Sequence, residues 1–300
     1  MTDSPLVVLG IDGLDAEKVR KWVPEIQQDV TGEMSLEEFD GLYYTDELWP
    51  SMILGCSPRE YGWDPNRDNV TKESSAEWNT PGLNIASNVA ERILPSEVRS
   101  KIGQILKKTV EDPAADFDIE SVDTHLFTGL KSKAIEIPNW NRGELDLDLT
   151  RESWEYVVEE DAGVERFFDA CESEIATISE ETKSAMNYPY DIIFNHYHYL
   201  DLIQHYFGEN IQRDWYERTA ELVNDFVNDH PDTTVIVMSD HGLADGVHRS
   251  PAFITVSNPW TEELPDSPPD VRRWIESAVI DEIEQNEEIT EHMRELGYIE

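Results

Sequence analysis

The chain has 300 residues, enough for one large α/β domain or two smaller ones. Its formal net charge is −41, from 64 Asp and Glu against 23 Lys and Arg, which argues against nucleic-acid backbones and anionic membranes as partners. The acids are spread along the whole chain and accompany 9 Trp and 11 Tyr. They therefore read as the surface of a folded, halophilic protein in a salt-rich cytoplasm, where screening removes most self-repulsion, and not as a disordered tail.

Leu6–Leu9 is a short apolar strand that stops at Gly10-Ile11-Asp12-Gly13, leaving Asp12 at a strand end between glycines that let a ligand approach. No basic stretch or cleavage site precedes it, so no signal peptide is expected. A polar helix follows at about Asp15–Val23. The segment Leu42–Thr45 is strand-like, and Glu47–Leu54 reads as a short helix ended by Gly55. Asn84–Leu94 and Glu97–Lys108 look helical, Asp112–Asp118 is an acidic loop, and Lys133–Ile137 is a strand stopped by Pro138. Part of the stretch from about 65 to 160 is expected to form an insertion over the site. Ala162–Met186 is an amphipathic helix with Val164, Phe167, Phe168, Cys171, Ile175 and Ile178 on one side. Asp191–His196 is a strand, Trp215–Val227 a second amphipathic helix, and Thr233–Met238 and Ala252–Val256 are strands. Helices near Val271–Glu284 and Glu287–Leu296 close the chain. Helices alternating with apolar strands indicate an α/β fold with a largely parallel sheet, in a single domain spanning the chain. No apolar run approaches the ~18 residues of a membrane helix. Cys56 and Cys171 are too few for a disulfide framework, so the cytoplasm is expected.

Metal-type residues concentrate near the end. Asp201 and His205 stand at i and i+4, one face of a helix. Asp240 and His241 follow the β-branched run Thr-Thr-Val-Ile-Val-Met, at the carboxyl end of a strand, where open α/β sheets place their ligands. His248 comes after a short loop holding Gly242 and Gly246. Three imidazoles mixed with carboxylates suit zinc or manganese better than calcium or magnesium. His196 and His198, alternating before Asp201, read as core groups or as supports for ligands. Arg249 reads as a surface residue.

These motifs, in this order, resemble the alkaline phosphatase superfamily, in particular its type I phosphodiesterase/nucleotide pyrophosphatase branch, in a haloarchaeal-type sequence. The resemblance rests on Gly10-Ile11-Asp12-Gly13, on Thr45 ten residues before Gly55 with Trp49 and Ser51 between, on Asp201-x-x-x-His205, on Ser239-Asp240-His241-Gly242, on the following His248, and on the ending Leu296-Gly297-Tyr298-Ile299. It covers both ends of the chain and leaves about 65–160 unmatched. It implies a three-layer α/β/α fold and two divalent metals, zinc or manganese, about 4 Å apart. One would be held by Asp12, Asp240, His241 and Thr45, the other by Asp201, His205 and His248. Thr45 would be the nucleophile toward a small phosphorylated substrate, with the positive end of the following helix aimed at the phosphate.

Two departures are visible. Glu47 stands where relatives have Pro, and Leu48 where nucleotide pyrophosphatases have a phosphate-binding Asn. Asp46 and Glu47 would repel an anionic substrate unless they face outward. Cys56-Ser57-Pro58-Arg59 is similar to the sulfatase block, but its Arg comes one residue early and the Cys lies beyond Gly55. The function implied is phosphodiester hydrolysis. Monoester cleavage or phosphoryl transfer at the same site is the alternative, and a silent binding protein of this fold is the third.

Overall fold

A computed structural model describes residues 4–41, 43–63, 119, 122–145, 147, 163–244, 246–257, 260 and 263–279. Its centre is a six-stranded sheet in the order β2-β8-β5-β1-β4-β3. The strands are β1 (Leu6–Ile11), β2 (Val30–Met34), β3 (Ser132–Ile135), β4 (Ile192–Tyr197), β5 (Val235–Met238) and β8 (Ala252–Val256). β3, β4, β1 and β5 are parallel neighbours, while β8 runs against both β5 and β2. The strands β1, β4 and β5 are buried at every position, as parallel strands covered on both faces must be.

The period-2 alternation of β1 sorts the core into two halves. Val7, Leu9 and Ile11 join a cluster with α1 (Ala16–Trp22), α3 (Gly163–Ala185), α4 (Tyr199–Tyr206) and α5 (Glu209–Asp229). Leu6 and Val8 join the other cluster, with α2 (Thr45–Leu54) and α6, which spans residues 270–279. Helices thus cover both faces, a three-layer α/β/α arrangement. Each fully buried Val, Leu or Ile contributes about 1.5–3 kcal/mol to holding the layers together.

Several expectations need correction. Residues 43 and 44 are not a strand, and α2 begins at Thr45 instead of Glu47. The second helix starts at Glu209, six residues before Trp215. β2 escaped notice because it is a half-exposed edge strand, Val-Thr-Gly-Glu-Met, with no apolar run. The loop before His248 is the turn of a small hairpin, β6 (Gly242–Ala244) and β7 (Val247–Arg249). From the stretch 65–160, β3 joins the main sheet as its edge and Phe127 and Ile137 enter the second core cluster. The expected helices 84–94, 97–108 and 287–296, the acidic loop 112–118 and the ending 296–299 lie outside the described residues. Among the described residues no helix is long and apolar enough to cross a membrane.

Candidate metal centre

The carboxyl ends of β1, β4 and β5 meet at one point because the three strands are adjacent and in register. Gly10 pairs with His196 on one side and with Met238 on the other. Asp12 follows β1, Ser239-Asp240-His241 follows β5, and His198 with α4 follows β4. From β1 the chain goes first to the far edge at β2, then to β3 and β4 on the other side of β1, and crosses back to β5, so the crevice where doubly wound sheets bind ligands opens beside β1. Gly13, at φ +70°, lets α4 close in: a Cβ there would lie 3.1 Å from Asp201 Oδ1.

All seven sequence-derived residues come together, in two adjacent sets. In the first, His241 Nε2 is 3.3 Å from Asp12 Oδ1 and 3.4 Å from Asp240 Oδ2. Thr45 Oγ1 is 3.4 Å from both Asp12 Oδ1 and His241 Nε2. In the second, Asp201 Oδ1 is 3.3 Å from His205 Nε2 and 3.6 Å from His248 Nε2, and the two imidazole nitrogens are 2.9 Å apart. Zinc bonds of about 2.0–2.2 Å put tetrahedral ligand atoms about 3.3–3.6 Å apart, so both sets have nearly the spacing of a coordination shell. The stacked rings of His241 and His248, centroids 3.7 Å apart, join them.

Thr45 does not cap its helix. Tyr44 is the N-cap and makes no side-chain cap bond, and Thr45 is the first helical residue, its hydroxyl turned toward Asp12 and His241. The N-terminus of α2 therefore has no side-chain acceptor over its first amides.

Three fully buried carboxylate oxygens accept no hydrogen bond: Asp12 Oδ2, Asp201 Oδ1 and Asp240 Oδ2. Orphaned buried acceptors are costly, and three so close together favour a cation among them. The charge balance points the same way. Burial, then the Asp12 charge, pushes the Asp240 carboxyl well up. Burial opposes a charge on His241, but Asp240 and Asp12 outweigh it and push the imidazole up to about 10. Burial also works against Asp201, yet His205 and His248 hold it well below the usual carboxylate range.

Ring tautomers separate metal-type histidines from supporting ones. His248 Nδ1 lies 2.6 Å from the Tyr43 carbonyl and His241 Nδ1 3.2 Å from the Gly242 carbonyl. Carbonyls only accept, so each Nδ1 carries a proton, which leaves Nε2 as the ring nitrogen where a metal ion would take the place of a proton. His198 is the opposite case. Its ring joins a donor group with Asp12 and Asp201, which the sequence reading did not anticipate. Yet Arg142 Nη2, which can only donate, lies 3.1 Å from its Nδ1. Burial and the guanidinium push this imidazole down to about 3, so the neutral ring carries its proton on Nε2, 4.0 Å from Asp12 Oδ2. His198 is thus a donor into the site. His196 Nε2 lies 3.5 Å from the same oxygen, buried against Trp49. Both fit the supporting role the sequence suggested.

Arg249 is partly exposed, as a surface residue would be, but its side chain is engaged. It grips the buried Asp15 carboxylate with Nε at 2.8 Å and Nη2 at 2.9 Å, and reaches Glu17 at 3.0 Å. Asp15 also accepts from the amides of Glu17, Lys18 and Leu243. It caps α1 and ties the hairpin carrying His248 to the end of β1. A Cβ at Gly242 would fall 2.5 Å from Asp15 Oδ2, which is why glycine stands there. Glu47 does not face outward. It is buried, Arg59 pairs its charge at 2.6 Å and the Ser57 hydroxyl donates to it at 2.9 Å, so the helix start is less repulsive to an anion than the sequence suggested. Buried Glu174 accepts from the His198 amide and sits beneath the start of α4. No sequence motif marked Glu174 or Arg142, because each acts through a contact distant along the chain.

The arrangement can hold one or two divalent cations beside a threonine hydroxyl at the open end of a helix. No protein-family model and no curated protein matches the chain. Among solved structures it is similar to the PH0037 protein from Pyrococcus horikoshii, with a TM-score of 0.41 and 13% identity over 85% of this chain and 86% of that one.

Proposed function

We propose that this chain is a metal-dependent phosphoric ester hydrolase of the alkaline phosphatase superfamily, acting on phosphodiesters through Thr45. The observation that carries the reading is the pair of donor sets around Thr45. Asp12, Asp240, His241 and the Thr45 oxygen would hold one divalent ion; Asp201, His205 and His248 would hold the second. The mixed imidazole and carboxylate donors suit zinc or manganese. Ions held there would supply Lewis-acid charge and ease loss of the hydroxyl proton.

The chain's own residues do the rest. Thr45 Oγ1 faces Asp12 Oδ1 at 3.4 Å, an acceptor toward which its proton points. Its place at the first position of α2 lets the helix's positive end attract the phosphoryl oxygens as the Thr45 oxygen attacks phosphorus. The P–O bond to one ester group breaks and that group leaves as its alcohol with the hydroxyl proton; water then cleaves the threonyl phosphodiester to the product monoester and free Thr45. His198 Nε2–H, 4.0 Å from Asp12 Oδ2, adds a neutral donor beside the site. Asp15 and Arg249 keep the His248 hairpin in place.

The test is turnover of generic aryl phosphate diesters and monoesters in molar potassium chloride, with metal content measured on the same samples. Diester turnover that follows metal loading supports the reading. Loaded protein that turns over monoesters alone would shift it to a phosphomonoesterase, and loaded protein inert to both would leave a binding protein.

A further inference from the structure

A buried polar network lies behind the two donor sets, and Gln204 is its junction. Gln204 stands between Asp201 and His205 on α4 and is 2% exposed. Its Nε2 donates to the Gly13 carbonyl at 2.7 Å. Its Oε1 accepts from Lys18 Nζ at 2.7 Å and from the Tyr216 hydroxyl at 3.0 Å. The partners fix which way the amide points: an ammonium can only donate and a carbonyl can only accept. Lys18 Nζ also donates to Gln212 Oε1 at 2.9 Å. Gln212 Nε2 in turn donates to the carbonyls of Gln204 and Phe207, at 3.1 and 2.7 Å, over the open end of α4. The Tyr216 oxygen accepts from the Asp15 amide at 2.9 Å, and from Asp15 the bonds run on to the hairpin that carries His248.

Gly13 is where this network meets the first donor set. Its amide donates to Asp240 Oδ1 at 3.3 Å, while its carbonyl accepts from Gln204. A Cβ on Gly13 would lie 3.1 Å from Gln204 Nε2. One residue of the turn after β1 thus touches a donor of the first set on one side and the helix of the second set on the other. α4 has only eight residues, too few to hold its place alone. Leu200, Leu202 and Ile203 pack it into the core, but apolar contact has no direction and lets a helix slide or turn. A hydrogen bond fixes a length and an angle. Gln204 lies three residues after Asp201 and one before His205, so any shift of its amide carries both donors with it.

We infer that Gln204 is the positioning residue of the two-ion site, its amide setting the second donor set against the first through Gly13 and so fixing the separation of the ions. This rests on the metal centre proposed above and not on the choice of substrate. Two ions about 4 Å apart can clamp both the attacking and the leaving oxygen of one phosphoryl group. A helix free to drift would hold its ion without holding that spacing.

Gln204→Met and Gln204→Glu test it. The first keeps the side-chain length and loses every bond of the amide. The second keeps an acceptor for Lys18 and Tyr216 and loses only the donor to Gly13, while its added negative charge would by itself draw a cation closer. Each is titrated with manganese beside wild type in molar potassium chloride, with the melting temperature of the metal-free protein measured on each. Electron paramagnetic resonance of the loaded proteins reads the coupling between the two manganese ions, which depends on their separation. In both variants the weaker ion should bind about tenfold or more loosely and the tighter ion within about twofold of wild type, and the coupled signal should change or vanish. Variants that bind both ions as wild type does, with the same coupled signal, overturn the inference. So does wild-type binding by Gln204→Glu alone, or an equal weakening of both ions in step with a lowered metal-free melting temperature, since either makes Gln204 a packing residue only. Wild-type protein that binds fewer than two ions removes the two-ion centre itself, and the role of Gln204 with it.

Discussion

The two donor sets share a crevice but are built differently. Asp12, Asp240 and His241 are fully buried at the ends of central strands, so they can shift only if the sheet shifts. Asp201, His205 and His248 stand on an eight-residue helix and a two-stranded hairpin, and the His248 side chain is 26% exposed. What holds that hairpin is polar: the Asp15–Arg249 fork and the Tyr43 carbonyl on His248. A set anchored by a packed sheet should bind first and release last, and a set anchored by a fork and a helix should exchange.

The largest effect should come from the residue that belongs to the first set but faces the open mouth. Thr45→Ala should lower turnover by at least about 1,000-fold while leaving the fold and most metal binding intact, and Thr45→Ser should keep measurable activity. Turnover assays with metal analysis on both variants decide it, and wild-type turnover by Thr45→Ala would mean that Thr45 is not the nucleophile. Next in size is the second set. Wild type should hold two divalent ions per chain, and Asp201→Ala with His205→Ala should lose one of the two and keep the other. Loss of both ions, or no transition metal in wild type even after adding zinc or manganese, would erase the distinction between the sets.

A smaller effect should sharpen it. Arg249→Met removes the fork without touching a donor atom. It should cost about 1–3 kcal/mol of stability and weaken the more exchangeable ion selectively, read by chemical denaturation and by metal titration. The pH dependence has a definite sign. Burial opposes ionisation of Asp15, but Arg249 and the Lys18 amide outweigh it and hold the carboxyl below its ordinary 3.8. A depressed acid contributes stability that is present above the ordinary value and lost as pH falls through the folded one. The gap between wild type and Arg249→Met should therefore be open at neutral pH and close on acidification below about pH 4. A gap that stays constant down to pH 2 would mean the fork does not work through charge.

The smallest effect should be graded and global. With a net charge of −41, the folded state repels itself over a Debye length of about 30 Å at ~0.01 M salt and only about 3 Å at ~1 M. Melting temperature should climb along a potassium chloride series, and added metal should flatten the climb, because an ion at 100 times its dissociation constant stabilises by about 2.7 kcal/mol. A flat or falling series would contradict the halophilic reading of the surface.

The sequence by itself determined the layers and the donors. Apolar runs such as Leu6–Leu9 and Val235–Met238, and helical stripes such as Phe167, Cys171, Ile175 and Ile178, record burial directly, because strand and helix periods repeat along the chain. Val164 of the same stripe is nonetheless exposed, and Phe168 only partly buried. Asp12, Asp201, His205, Asp240 and His241 stood out because metal-type side chains at strand ends and at helical spacing are a local pattern; His248 was added for its place shortly after the Asp-His pair, and Thr45 only through the resemblance of its motif. Only the tertiary structure decided what those side chains face. That Thr45 starts its helix instead of capping it depends on Tyr44 and on a hydroxyl turned to strands β1 and β5. That His248 offers Nε2 to the site while His198 presents a proton there depends on Tyr43 and Arg142, 205 and 56 residues away. That Arg249 grips Asp15, 234 residues earlier, and that Glu47 lies buried under Arg59, follow from the same cause. Burial and period are written locally; the partner of a polar atom is set by which distant segments the sheet order brings together.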